Sequence, residues 1–343
     1  MSAEPTPTLE DVARVAGVSR ATVSRVINQT RNVDPEIQEA VRRAVAATGY
    51  VPNRAARSLV TRRSDSVGVV VAGAGPGDNV VASRVFADPF FGRILNGIIS
   101  SLRPRSIYPA LMLAENESHE TEIAAYLKQG NADGALLIST RAVDRLPALV
   151  SAAGKPAVRF ARPPQPAPLS YVDLANADGG AMAADHLASL GRRRPAAITG
   201  PLDVPAASER QAGYLDAWAR RGCAFVPAAE GNFTYGSGER AMKGLLADHP
   251  EIDAVFAASD LMAQGAVHAL VDQGRDVPGD VAVVGFDDSA PSWTSRPTIT
   301  TVRQPLEGMA AEMVRLLLER IEDPSLEPAS VIFEPELIIR ESA

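Results

Sequence analysis

Between residues 19 and 28 the chain carries Ser19, Arg20, Ala21, Thr22, Ser24, Arg25 and Asn28, interleaved with Val23, Val26 and Ile27. At helical spacing the apolar residues turn inward. Two guanidinium groups, a methyl and several short hydroxyl and amide donors are left outside. That surface suits a duplex groove. Arginine bonds guanine O6 and N7 in a bidentate manner, alanine packs on a thymine methyl, and small polar groups grip phosphate. Arg20, Ala21 and Arg25 are thus candidates to reach base edges, and Ser19, Thr22, Ser24 and Asn28 candidates for phosphate. A three-helix protein-interaction module with a solvated basic face would carry a similar pattern.

The elements that position these groups are readable from their boundaries. Thr8 followed by Asp11 marks a helix start, with Leu9, Val12, Ala13 and Ala16 on one face. Gly17 ends that helix, Val18 plugs the turn, and Ser19 caps a second helix over Arg20–Asn28. Two short helices around a glycine turn make a helix-turn-helix. A third begins at Asp34 and Pro35, buries Ile37, Val41 and Val45, and stops at Gly49.

Charge is divided along the chain in the same sense. Residues 1–63 hold ten basic and six acidic residues, a net of +4, which leaves 24 basic and 35 acidic residues, or −11, for the remainder. A basic head on an acidic body is expected where only the head meets phosphate. At 343 residues with 46% hydrophobic content, two or three compact units are expected. A single cysteine, Cys223, provides no disulfide framework. With no signal-peptide pattern and no apolar run of about 18 residues, a cytoplasmic protein with no membrane association is expected.

Residues 9–28, LEDVARVAGVSRATVSRVIN, followed by GYVPN at 49–53 and RAARSL at 54–59, resemble the LacI/GalR family of repressors. The resemblance implies that Arg20 and Ala21 are the main base-reading pair, with Arg25 in support. It adds Thr8, Asn53 and Arg54 to the phosphate contacts. It also implies a hinge helix within residues 52–64 and a minor-groove wedge at Leu59, which position alone would equally allow as a core leucine. Unstacking by such a wedge is offset by the contacts a kink permits. A homodimer on a pseudo-palindromic operator follows, since one small head makes few contacts. The chain ends at Ala343 without a heptad tail, which favours a dimer over a tail-linked tetramer.

From Ser66 onward, strand-like runs alternate with helical stretches. The strand candidates are residues 66–71, 110–114, 134–139, 157–161, 196–199, 254–258 and 281–286, with a late extended run at 331–339 interrupted by Pro335. Alternation of this kind predicts parallel sheets covered on both faces. The fold class expected is an all-α helix-turn-helix head on residues 1–51, joined to an α/β effector and dimerisation domain of two doubly wound lobes on residues 65–343. The body resembles the same family's periplasmic-binding-protein-like domain through DPFF (88–91), DHLASLG (185–191), TGPLD (199–203), SERQAGY (208–214), GFDD (285–288) and TTVRQP (300–305). The resemblance implies three crossings between lobes, near 161, 289 and 325. Lobe 1 would then hold residues 65–161 and 290–324, and lobe 2 residues 162–289 and 325–343.

Ligands of open α/β sheets bind beyond the carboxyl ends of strands, where Asp287 and Ser259 lie. Carried over by motif, Asp287 and Arg210 would hold ligand hydroxyls or a carboxylate, Ser259 and Gln304 would add polar contacts, and Phe233 with Phe90 or Phe91 would stack on an apolar ring face. Taken singly, Phe90 and Phe91 also read as core and Asp287 as a strand-end turn. The expected effector is a sugar or sugar derivative. The alternative is a nucleobase-type co-repressor or, further off, an enzyme with a DNA-binding appendage. Three departures bear on the pocket: a long Gly-rich segment at 73–87, Ala161 where an acidic residue is common, and Ser259 where Asn is frequent. Residues 73–77, GAGPG, do not form a dinucleotide loop, and the four histidines show no metal-ligand spacing, so no metal, cofactor or catalytic residue is expected.

Overall fold

The computed structural model describes residues 7–27, 33–51, 63–72, 87–139, 145–163 and 167–343, in two compact units that divide near Ser66. In the head, α1 (Leu9–Ala16) starts at Thr8, whose hydroxyl accepts from the Asp11 amide while the Asp11 carboxylate accepts from the Thr8 amide. The reciprocal cap satisfies N–H groups that the first turn leaves without partners. The Thr8 amide, with Arg14 and the Thr8 hydroxyl, holds the Asp11 pKa down to about 2. Gly17, at a left-handed φ of 68°, ends α1. Next comes α2 (Arg20–Ile27), where Ser19 Oγ accepts from the Thr22 amide. The last is α3 (Pro35–Thr48), capped by Asp34 and stopped by Gly49. Val12, Ala13, Val23, Val41 and Ala44 are buried between the three helices. That core is small, so its caps matter.

Among the described residues the body holds two sheets of six strands. In lobe 1, β1 (Ser66–Ala72), β2 (Tyr108–Ala114), β3 (Gly134–Ser139), β4 (Ala157–Phe160), β5 (Ser170–Leu174) and β11 (Ser330–Phe333) lie in the order β11-β5-β4-β3-β1-β2. Against them pack α4 (Pro89–Leu102), α5 (Glu117–Lys128), α6 (Leu146–Ala152) and the long α12 (Leu306–Glu322). Lobe 2 repeats the plan with β6 (Pro195–Thr199), β7 (Ala228–Glu230), β8 (Ala254–Ala257), β9 (Ala282–Asp287), β10 (Thr300–Arg303) and β12 (Glu336–Ile338), ordered β12-β10-β9-β8-β6-β7. On one side of this sheet the helices are α7 (Asn176–Ser189) and α8 (Pro205–Ala219). On the other they are α9 (Tyr235–Asp248), α10 (Asp260–Asp272) and the short α11 (Ala290–Thr294). β12 runs antiparallel to β10, while β6 to β10 are parallel neighbours.

Both sheets reverse direction beside their first strand, between β1 and β3 and between β6 and β8. Such switch points open a crevice at the carboxyl ends of the strands. In lobe 2 that edge carries Gly200, Ala258 and Asp287.

The lobe crossings fall later than the expected 161, 289 and 325. Because β5 belongs to the first sheet, the chain first crosses at Ala175. It crosses again at Gln304-Pro305, after β10, and finally at Glu334-Pro335, between β11 and β12. Ser170–Leu174 and Thr300–Arg303 carry too many polar residues to show as apolar runs, yet both are almost wholly buried. The run at 331–339 is two strands in different sheets. Pro335, lacking an N–H, stands where the ladder must stop.

Close approach of α7 and α8 sets the geometry of the crevice. A Cβ added to Gly213 would lie 1.8 Å from the Ala177 carbonyl oxygen, and one on Gly180 would lie 2.0 Å from the Arg210 carbonyl oxygen. The two backbones therefore touch directly, next to the two residues that meet across them, Asn176 and Arg210. Gly213→Ala should push the helices apart and destabilise the body by about 2 kcal/mol or more, read as a lowered denaturant midpoint with an unchanged m-value.

Candidate functional site

On the head, Val23 is buried, whereas Arg20, Ala21, Arg25 and Ser19 are exposed and Thr22 and Ser24 half-buried. Arg20 forms an ion pair with Glu10 at 3.1 Å, with both side chains largely in solvent. An exposed pair of this kind is worth well under about 1 kcal/mol, so Arg20 is readily released to another acceptor. The Thr8 hydroxyl is engaged with Asp11, and the Ser19 hydroxyl lies 2.9 Å from that of Thr22. Asn28, Asn53, Arg54 and Leu59, with hinge residues 52–62 and the segment 73–86, lie outside the described residues.

In the body, the structure brings Arg210, Asp287 and Gln304 together, with Ser259 next in the chain to the Ala258 carbonyl that Arg210 bonds. Arg210, on α8, is 5% exposed. Its Nε donates to Asn176 Oδ1 at 2.9 Å and its Nη1 to the Ala258 carbonyl at 2.9 Å, with Asp287 Oδ1 at 3.5 Å. The guanidinium lies 3.6 Å above the centre of the Phe286 ring, a cation–π arrangement. Burial pulls the Arg210 pKa down, opposed by Asp287, Asp173, Asp260 and Glu209. Asp287 accepts from Gln304 Nε2 at 2.8 Å, and burial raises its pKa above the ordinary aspartate value despite Arg210.

Local folding puts Asp287 there. It ends β9 at φ 108°, and Asp288 follows at φ 52°, so two consecutive non-glycine residues occupy the left-handed region. Strain of this order needs surrounding bonds to hold it. Asp288 supplies some, pairing with Arg303 at 2.8 Å and with Arg340. Asp260, fully buried behind the turn, accepts from the Ser289 amide and the Thr301 hydroxyl, both at 2.6 Å. Burial, then the nearby Asp287, pushes its pKa well up.

The aromatic candidates separate. Phe91 is buried and packs within the lobe 1 core. Phe90 is half-buried, edge-on to Phe91 and Phe160. In lobe 2, Phe233 sits at φ 65° with its ring against Gly200, where a Cβ would lie 2.2 Å from Cζ. Ser259 caps α10, its hydroxyl accepting from the Met262 amide at 3.3 Å.

Several contributors were not legible. Asn176 orients Arg210, and its place just after β5 would have revealed it had that strand been recognised. Phe286, the platform under Arg210, reads in sequence as an ordinary strand residue. Glu209 neighbours Arg210 in the chain, and burial followed by the Asp173 charge raises its pKa. Arg93, three residues after Phe90, carries no sequence signal of its own.

Known proteins share this architecture. Residues 8–53 match the family described as Bacterial regulatory proteins, lacI family, and residues 184–343 a Periplasmic binding protein-like domain. The HTH-type transcriptional regulator CelR of Thermobifida fusca is 44% identical over 341 residues, covering 98% of both chains. A solved transcriptional regulator CelR–cellobiose complex is 41% identical, with a TM-score of 0.76 over 98% of this chain and 100% of that one. The lac repressor dimer bound to operator and the anti-inducer ONPF is 26% identical, with a TM-score of 0.84 over 98% of this chain and 99% of that one. Head, body and relatives agree along nearly the whole length: the chain belongs to the lacI family of bacterial regulatory proteins, transcriptional regulators in which a DNA-binding head precedes a periplasmic-binding-protein-like body.

Proposed function

We propose that this regulator is a cytoplasmic homodimeric repressor that holds a pseudo-palindromic operator, and that a neutral carbohydrate of the cellobiose type, bound between its lobes, sets its operator affinity. The ligand class rests on the charge balance around Arg210. Arg210 stands among four acids, Asp287, Asp173, Asp260 and Glu209, and with Arg93 near Asp287 and Arg162 near Glu209 the acids still outnumber the guanidinium groups. An anionic ligand would meet repulsion there, whereas sugar hydroxyls can donate to the carboxylates and accept from the guanidinium. Half-buried Phe90 and Phe233 offer faces for sugar C–H groups. The cellobiose bound by the CelR relative supports the same class.

Sugar binding and release without turnover is the expected activity, checked by recovering the ligand unchanged after incubation. Among the described residues, no helix is long and apolar enough to cross a membrane. Exposed Ile99, Tyr108 and Leu111, on α4 and the edge strand β2, support pairing of two copies. Two heads in register read two half-sites, which one small head cannot do with useful specificity.

Calorimetric titration with cellobiose, with purine nucleobases as the competing class, tests the ligand. Asp287→Asn should weaken sugar binding by about 100-fold, because Arg210 loses its counter-charge and one of the two acceptor oxygens becomes an NH2 donor. Wild-type affinity should also fall on acidification, beginning above the ordinary aspartate range. The raised Asp287 pKa means its carboxylate is protonated, and lost as an acceptor, earlier than a free one. Preferential binding of a purine would overturn the carbohydrate reading.

Selection on random duplex DNA should enrich a palindrome. Arg20→Ala should then relax the preference at one position per half-site, by about 1–3 kcal/mol, leaving the spacing intact. Leu111→Arg should shift the light-scattering mass toward the monomer, and an unchanged dimer mass would place the interface elsewhere.

A further inference from the structure

A single arginine ties the two lobes together at the turn that carries the sugar-binding aspartate. Arg93 lies on α4 of lobe 1, with a side chain 21% exposed. Two of its nitrogens meet the carboxylate of Glu307, in the first turn of α12: Nε to Oε1 and Nη2 to Oε2, both at 2.8 Å. The remaining donors leave lobe 1. Nη1 donates to the carbonyl oxygens of Asp287 at 2.8 Å and Asp288 at 3.2 Å, and Nη2 to that of Gln304 at 3.3 Å. Four acceptor groups converge on one planar fork.

Packing holds that fork in place. One turn beyond Arg93, a Cβ on Gly97 would lie 2.7 Å from the Ala310 Cβ and 3.1 Å from the Glu307 Cα. The helices α4 and α12 therefore touch at Gly97, which sets Arg93 beside Glu307. Glu307 is kept ionised, since the Arg93 bond lowers its pKa. The arginine is thus anchored within lobe 1 and offers its free edge to lobe 2.

What it grips is informative. Asp287 and Gln304 contribute side chains to the crevice and carbonyl oxygens to Arg93. Asp287 and Asp288 are the two residues in left-handed conformations, and Gln304 begins the crossing from β10 to α12. A ligand that pulls on the Asp287 carboxylate must move or stiffen the same peptide that Arg93 holds.

We infer that Arg93, clamped by Glu307, is a positioning residue that latches the Asp287–Asp288 turn of lobe 2 to helix α4 of lobe 1 and carries ligand occupancy between the lobes. The transmission half of this inference rests on the carbohydrate reading; the latch does not. Lysine cannot replace arginine here, because one ammonium cannot hold a carboxylate in fork geometry while reaching three carbonyls.

The test uses full-length Arg93→Lys, Arg93→Leu and Glu307→Gln. Hydrogen exchange of the ligand-free proteins should show residues 286–290 exchanging at least about tenfold faster in Arg93→Leu, the ratio that corresponds to losing one charge-assisted hydrogen bond. Arg93→Lys and Glu307→Gln should show a smaller increase in the same segment, while strand β8 and helix α9 stay unchanged. If Arg93→Leu does not fold, the other two variants carry the measurement. In parallel, the ratio of operator Kd with and without cellobiose should move toward one by about tenfold in Arg93→Leu. Exchange of 286–290 at the wild-type rate in the variants, or full restoration by lysine, overturns the latch. A wild-type protein indifferent to cellobiose sinks the carbohydrate reading, and the exchange data still decide the latch. A cellobiose response that persists unaltered in Arg93→Leu overturns the transmission.

Discussion

A buried guanidinium is the constraint around which the body is arranged. Arg210 is almost without solvent contact, and an ion taken out of water must be repaid by bonds and opposite charge. The repayments come from three elements: Asn176 from the start of α7, the Ala258 carbonyl from just after β8, and both the Asp287 carboxylate and the Phe286 ring from β9. Removing one partner from such a set costs about 3–5 kcal/mol, far more than its net worth, because the others are left uncompensated. The glycines at 180 and 213 serve this arrangement, letting α8 approach α7 until Arg210 reaches Asn176.

The same requirement explains the unusual backbone beside it. Asp287 and Asp288 hold left-handed conformations that cost of order 1–3 kcal/mol each, and they persist because bonds surround them on every side. Arg303 and Arg340 hold the Asp288 carboxylate, Gln304 that of Asp287, and Arg93 both main-chain carbonyls. Ser342 and Ala343 pin the tail that carries Arg340, through bonds to Val283 and Thr300. A turn held on so many sides has few ways to relax, so a displacement of the Asp287 side chain is passed to its partners rather than absorbed locally.

The head obeys a different economy. Five small buried residues make a core that leans on its caps, and its outward face is given over to arginine, alanine and hydroxyls. Residues 1–63 carry +4 against −11 on the rest of the chain, and that excess comes from Arg54, Arg57, Arg62 and Arg63, which follow the neutral three-helix head and concentrate attraction for phosphate at its exit. Specificity must then come from base edges, because charge alone attracts every sequence equally.

Much of this was legible beforehand, for identifiable reasons. Caps and glycine stops are local, so α1, α2 and α3 could be placed from Thr8, Gly17, Asp34 and Gly49. The grouping of Arg210 with Asp287 and Gln304 came from motifs rather than periodicity. The sequence by itself determined the helix-turn-helix, the alternation that makes two doubly wound lobes, and the charge division, because each is written in neighbouring residues. Only the tertiary structure decided where the chain crosses between lobes, since Ser170–Leu174 and Thr300–Arg303 are polar segments buried by the sheets they join. It also decided that Phe91 is core while Phe90 remains half-exposed. The role of Arg93 was invisible from sequence for the plainest reason: its partners Glu307, Asp287, Asp288 and Gln304 lie about two hundred residues away, and main-chain carbonyls carry no side-chain signature.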